Sequence, residues 1–436
     1  MSNPLAKLLR LVPAGTHLVI GGTVVLGLAS YIQIAVAGHA LAGAPRAGVS
    51  ELWSLVMTVS TGLFFPIEQE LTRVVAARVV RHQGVAPVLR RASLLTLGML
   101  VVICGALALT AGPVADTFFG GNRSMVWAFG GSLVGMALVY LSRGILAGLG
   151  LFQSYGLSLA LDGGLRIILA GGLYLAGSHS ALAYGLVLTV APLFAMACTV
   201  RPALRGCRPG PLMPWNELFQ NLAMMICAQV LAQFVVNAAV ITTAVVATDP
   251  QVTFALLSAG VLCRIPLFVF GSLQPTLMTG LSTTATSGDR VGFRKMLLRT
   301  CAVLAGLGVL GAVPAVCVGS WLIHTFLGAP DVLGPMDFFW FSFGTMCYML
   351  AMVLGQALMA LGRHRWQMVC WLLGTAALIG VTVLPGPVTE RVEVAYAVSS
   401  LVTAVSMLLI LLRGVTKNSS GPTAEGTAAA SALENA

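Results

Sequence analysis

Long apolar stretches, broken by short segments holding Gly, Pro and charge, recur along the whole chain. Each runs to about 20 residues, enough to cross about 30 Å of hydrocarbon as a helix. None shows the ten-residue alternation of a membrane barrel, and lipid satisfies no backbone polar group, so helices remain. The pattern predicts spans near 17–42, 51–71, 93–112, 125–148, 154–176 and 180–200, then near 216–247, 252–280, 297–326, 335–361, 366–385 and 393–413. The expectation is an all-α membrane protein of about twelve transmembrane helices.

Composition removes the soluble alternative: 58% of the residues are hydrophobic and 9% charged, with a mean hydropathy of +0.93. Lys and Arg then set orientation. One alternating set of loops holds Lys7 and Arg10; Arg73, Arg78, Arg81, Arg90 and Arg91; Arg201, Arg205 and Arg208; Arg290, Arg294, Lys295 and Arg299; Arg363 and Arg365; and Arg413 and Lys417. The other set holds Arg46, Arg123 and Arg391 beside Asp116, Asp249, Asp331, Asp337, Glu390 and Glu393. The bias predicts a multi-pass plasma (inner) membrane protein with both termini cytoplasmic. It also accounts for the net charge of +10 as topology plus attraction to anionic membrane lipids, with no nucleic acid required. Met1–Thr16 reads as a retained cytoplasmic start, and 414–436, rich in Ser, Ala, Gly, Thr and Glu, as a disordered cytoplasmic tail. Nine scattered cysteines without CxxC and six histidines without ligand spacing predict neither metal nor cofactor. Oligomeric state is not encoded in any of these features.

The halves repeat. Pro66 through Leu71 to Arg90 aligns about 206 residues later with Ser272 through Leu277 to Met296, and Gly144 onward aligns about 212 residues later with Gln356 onward. Each half has an even number of spans, so the repeats are parallel. Two six-helix lobes, 1–205 and 206–413, are expected around a central cavity that opens alternately to either side.

The 6+6 plan, "FFPIEQELTR" with its Arg-rich loop, and "SRGILAGLGLFQSYG" resemble the polysaccharide and oligosaccharide flippases. These belong to the multidrug/oligosaccharidyl-lipid/polysaccharide (MOP) exporter superfamily, which also holds multidrug and toxic compound extruders (MATE) and lipid II flippases. The resemblance implies transfer of a polyprenyl-pyrophosphate-linked glycan to the outer leaflet, with that lipid-linked anionic glycan as partner.

Charge inside the membrane is the chemistry that stands out, since each ionised group at the bilayer centre costs about 2.5–3.5 kcal/mol on insertion scales. Arg143, Arg166 and Arg264 fall within spans. Asp162 lies four residues before Arg166, on the same helix face, so the two form either a self-neutralised pair or part of a cavity. Arg264 has no acid within a helical turn, and the repeat offset pairs it with Thr58. Arg143, near the cytoplasmic end of its span, either snorkels to the interface or joins Arg166 and Arg264 in a cationic cavity suited to a pyrophosphate. Gln229, Gln233 and Asn237 follow Glu217 and Asn221 as a polar stripe on the seventh span, either cavity lining or interhelical glue. Tyr31 would face the stripe, either stacking on sugar or serving as an ordinary packing residue. Glu68, Glu70 and Arg73 close the second span as a candidate gate, or as an interfacial ion pair worth under about 1 kcal/mol.

The chain has no Walker A, GxSxG or HExxH pattern and only short outer loops, so a non-enzymatic exporter is expected. The alternatives are a cation-coupled multidrug extruder and a non-transporting cell-envelope scaffold. Cavity charge discriminates among them: positive for a lipid pyrophosphate, negative for cationic drugs, closed and apolar for a scaffold.

Overall fold

A computed structural model of the chain describes residues 15–41, 43–238, 242–243, 249–327 and 330–417. The first half forms α1 Thr16–Ala40, α2 Gly43–Leu63, α3 Phe65–Val80, α4 Ala86–Leu109, α5 Ala111–Phe118, α6 Arg123–Gly148, α7 Phe152–Leu175 and α8 Ala181–Gly206. The second forms α9 Trp215–Val236, α10 Pro250–Cys263, α11 Ile265–Thr286, α12 Arg290–Leu327, α13 Pro335–Ala360, α14 His364–Thr382 and α15 Val388–Lys417. Among the described residues there is no strand.

Each of the twelve expected spans coincides, over its described residues, with a helix or a bent pair; 239–241 and 244–247 of the seventh lie outside them. Ten helices are long and apolar enough to cross a membrane, and α10 with α11, bent by 41°, brings the number to eleven. The remaining expected span is α14, whose 19 residues open on the polar turn His364 to Gln367. The expected end of the second span near 71 is corrected: α2 and α3 together make one stretch, Pro45–Val80. Hydropathy falls at Arg73 and Arg78, but Ala, Val and Arg there still favour helix, and Val74, Val75 and Ala76 are buried. Pro66 occupies the first turn of α3, where its missing N–H costs no helical bond. The end of α15 is likewise later than expected, at Lys417; the rest of the expected disordered tail, 418–436, lies outside the described residues, as does most of the basic start.

Two hydrophobic cores define two lobes, and they meet within α9. Leu218 and Leu222 pack in the first core, with Val19, Leu133 and Tyr184; Ala228, Ala232 and Val235 pack in the second, with Phe341, Trp371 and Tyr396. Close helix contacts rely on residues without bulk. A Cβ on Gly156 of α7 would lie 2.5 Å from the Leu18 backbone of α1, and one on Gly163 2.7 Å from Leu26 Cα. On α6, a Cβ at Gly148 would lie 2.5 Å from Val75 Cβ of α3. With no water to expel between helices in lipid, such close approach supplies the packing energy.

The repeat is visible in the helices. α6 and α13 begin 212 residues apart, as do α7 and α14. α3 and α11 end 206 residues apart but begin 200 apart, because α11 has 22 residues and α3 has 16. Both start with Pro at the first turn, directly after a break at Phe64 and Arg264. Arg264 therefore corresponds to Phe64, which corrects the expected pairing with Thr58.

Candidate functional site

The charge cluster of the first lobe is built on one face of α7, where Tyr155, Ser158, Asp162 and Arg166 recur at spacings of three and four. Asp162 Oδ1 accepts from Arg166 Nε at 2.9 Å, and Asp162 Oδ2 from Arg143 Nη2 of α6 at 3.0 Å. Arg143 Nε also donates to Ser158 Oγ at 3.2 Å. None of the three is more than 3% exposed. The expectation that Arg143 and Arg166 join Arg264 in one cationic cavity is thereby corrected. Asp162 engages both guanidinium groups with its two oxygens, and the three lie together inside the first lobe. Pairing is what makes such burial tolerable, since a single buried charge without its partner costs several kcal/mol.

Glu68 belongs to this same interior. Tyr155 donates its hydroxyl to Glu68 Oε1 at 2.6 Å, while Glu68 Oε2 is buried without a hydrogen-bond partner. The expected gate trio is thus divided: Glu68 faces the lobe interior, Glu70 and Arg73 face the other lobe. Residues two apart on a helix point about 200° apart, so α3 cannot present both acids to one partner.

Glu70 is the anchor of an interlobe latch. Arg73 Nε and Nη2 donate to its two oxygens at 2.8 and 2.7 Å. From the second half of the chain, Asn221 Nδ2 of α9 donates to Glu70 Oε1 at 3.2 Å, and His364 Nε2 at the start of α14 lies 3.7 Å from Oε2. Two more bonds tie the same end. Arg78 Nη1 donates to the Pro211 carbonyl at 2.7 Å, and Thr279 Oγ1 of α11 to the Ala147 carbonyl of α6 at 3.0 Å. No local signal in the sequence joins His364 or Asn221 to Glu70.

In the second lobe Arg264 stands at the break between α10 and α11. Its Nη1 donates to Asn237 Oδ1 at 3.4 Å, and its Nε is buried without a hydrogen-bond partner. No carboxylate forms an ion pair with it among the described residues. Asn237 Nδ2 in turn donates to the Gln233 carbonyl at 2.9 Å, so one member of the polar stripe, Asn237, reaches Arg264 and is itself held by Gln233. Gln229 is buried one turn earlier on α9. Tyr31 is 62% exposed on α1 and joins neither cluster. Glu393, read as an outer-loop acid, is instead 2% exposed at the start of α15. Among the described residues no group of His, Cys, Asp or Glu could hold a metal ion.

The two helical lobes match the MATE and MOP transporter fold. A MATE structure in the bent conformation superposes with a TM-score of 0.75, at 13% identity over 93% of this chain and 96% of that one. The Vibrio cholerae MATE transporter VcmN gives 0.75, at 12% identity over 92% and 95%. A MOP superfamily transporter from Pyrococcus furiosus gives 0.72, at 13% identity over 93% and 94%; for that protein, reverse polarity of the binding pocket suggests a different function. No family model matches the chain. Two uncharacterized Mycobacterium tuberculosis proteins, from strains CDC 1551 and H37Rv, are each 24% identical over 353 residues, which is 77% of this chain and 78% of theirs. The chain is therefore a multi-pass membrane protein of this fold, and its structural neighbours are transporters.

Proposed function

We propose that this protein is an exporter working by alternating access, and that its cargo is anionic: a polyprenyl-pyrophosphate-linked oligosaccharide or related cell-envelope glycan precursor. The observation that carries this is Arg264. Arg143 and Arg166 share the carboxylate of Asp162, whereas Arg264 in the second lobe has, among the described residues, an amide and no carboxylate as partner. A guanidinium held there without a counter-carboxylate is costly, and a pyrophosphate is the ligand whose paired oxygens suit its fork. Under this reading the arginine-rich loops and both termini are cytoplasmic, in the plasma membrane. The polyprenyl tail stays in lipid between the lobes, and the Glu70 latch closes the cytoplasmic side behind the cargo.

A second reading, a cation-coupled multidrug extruder, draws support from Glu68, whose unpartnered carboxylate oxygen inside the first lobe offers a place for a proton or cation. Transport in vesicles separates the two. Reconstituted protein should move a polyprenyl-pyrophosphate sugar between leaflets, Arg264→Ala should abolish that transfer, and Arg264→Lys should keep part of it. Unimpaired transfer by Arg264→Ala sinks the anionic reading. In depleted cells, inner-leaflet build-up of one lipid-linked glycan would name the cargo. An unchanged lipid pool with retained cationic dye would favour drug extrusion.

A further inference from the structure

The latch encloses a histidine that makes no hydrogen bond. His364 stands in the polar opening turn of α14, ahead of the span expected from residue 366. It is 1% exposed, and neither Nδ1 nor Nε2 has a hydrogen-bond partner among the described residues. Glu70 Oε2 of the first lobe, 3.7 Å from Nε2, is beyond hydrogen-bond reach. Both oxygens of that carboxylate are engaged by others: Oε1 accepts from Arg73 Nη2 and Asn221 Nδ2, Oε2 from Arg73 Nε.

The charged groups that act on His364 are Glu70 and Arg73, both of α3. From its own half of the chain, α9 presents the amide of Asn221 to the same carboxylate. The one charged side chain of α13, Asp337, stands in its first turn at the opposite end. Arg363, before α14, turns to the Ile410 carbonyl of α15 at 3.4 Å, while Arg365 and, on α15, Arg413 are exposed. A neutral ring is tolerated in such a place better than a charged one. Burial strips an imidazolium of water, and no hydrogen bond to Glu70 replaces what is lost. Burial accordingly holds this histidine below its ordinary pKa, with Glu70 opposing the shift and Arg73 adding to it.

We propose that His364 is a proton-binding site that releases the latch, so that acid parts the arginine-rich end. Once the lobes part there, the ring reaches water and takes up a proton in the ordinary histidine range, near about pH 6.5. The state that holds the proton more tightly gains as the pH falls, so acid moves the population toward the parted form and neutral pH keeps it latched. The missing hydrogen bond decides the sign: an imidazolium donating to a vacant Glu70 oxygen would make acid tighten the latch instead. The inference rests on the latch geometry and stands whichever cargo the central path carries.

The test uses the full chain purified in detergent, with spin labels at His82, after α3, and Ser287, after α11, both exposed. The distance distribution between them is followed from about pH 8 to about pH 5, across the histidine range. Its long component should grow as the pH falls below about 6.5, approaching a tenfold gain for each unit by which burial lowers the histidine. His364→Gln keeps a polar side chain that cannot take up a proton in this range, and should give one distribution at every pH. A distribution that stays unchanged in acid, or shortens, overturns the proposal, and both results are read with His364 in place. Acid parting that persists undiminished in His364→Gln overturns it as well, and assigns the proton to another group such as Glu70.

Discussion

Asp162 is the residue on which the first lobe's interior depends, because one carboxylate answers two guanidinium groups. Asp162→Asn should leave Arg143 and Arg166 facing each other without compensation and cost about 3–5 kcal/mol, read as a fall in the thermal midpoint in detergent. Replacing all three together by Met, Leu and Met should recover most of that loss, because no charge then stays buried. Part of this was legible in the sequence: Asp162 and Arg166 are four apart, and Tyr155, Ser158 and Asp162 keep the same face. Arg143 was not, since its partner lies on the next helix, and a separation of 19 residues says nothing about contact. Glu68 and Glu70 show the opposite error. Their spacing already forbids a shared partner, and the helical period alone divides them.

At the scale of helices, the first lobe is held by close approach more than by side-chain volume. Gly163 and Gly164 of α7 are neighbours in sequence but not in environment. A Cβ on Gly163 would collide with the Leu26 backbone, while one on Gly164 meets nothing within 4 Å. Gly163→Leu should therefore push α1 from α7 and destabilise by about 1–3 kcal/mol or more, with Gly164→Leu close to neutral, as measured by folded yield and thermal midpoint. The order of helices was readable because each span carries a long, mainly apolar stretch. The repeat was readable at 212 because α6 and α13 have equal length. It misled at Arg264 because α11 carries six more residues than α3 beyond the break. Aligning the basic loops, which lie after that insertion, assigned Thr58 to a position that Phe64 occupies. Prolines 66 and 266 were the better marker, since each must lie in a first helical turn.

For the molecule as a whole, the latch sets which state is favoured. Glu70→Gln removes the charge that Arg73 grips and weakens the contact with His364, so the arginine-rich end should separate more often. A longer and broader distance between labels at His82 and Arg365 would register this, and an unchanged distribution would place the closure elsewhere. Residues 207–214 join the two lobes. The segment joining them is not a slack tether: the Ala86 N–H donates to the Arg208 carbonyl at 3.0 Å, and Gly84 lies so close to Pro209 and Gly210 that no side chain would fit. The covalent bridge is stapled to the first lobe beside the latch, which puts a pivot at that end. A 26-residue helix is about 39 Å long, so each degree of swing displaces its far end by about 0.7 Å. The protein is a lever with its fulcrum at the arginines. Widening the far mouth leaves every bond at the fulcrum in place, whereas parting the arginine-rich end must first unstitch it. The two openings therefore differ in cost, and a molecule so built has its far side the easier to open.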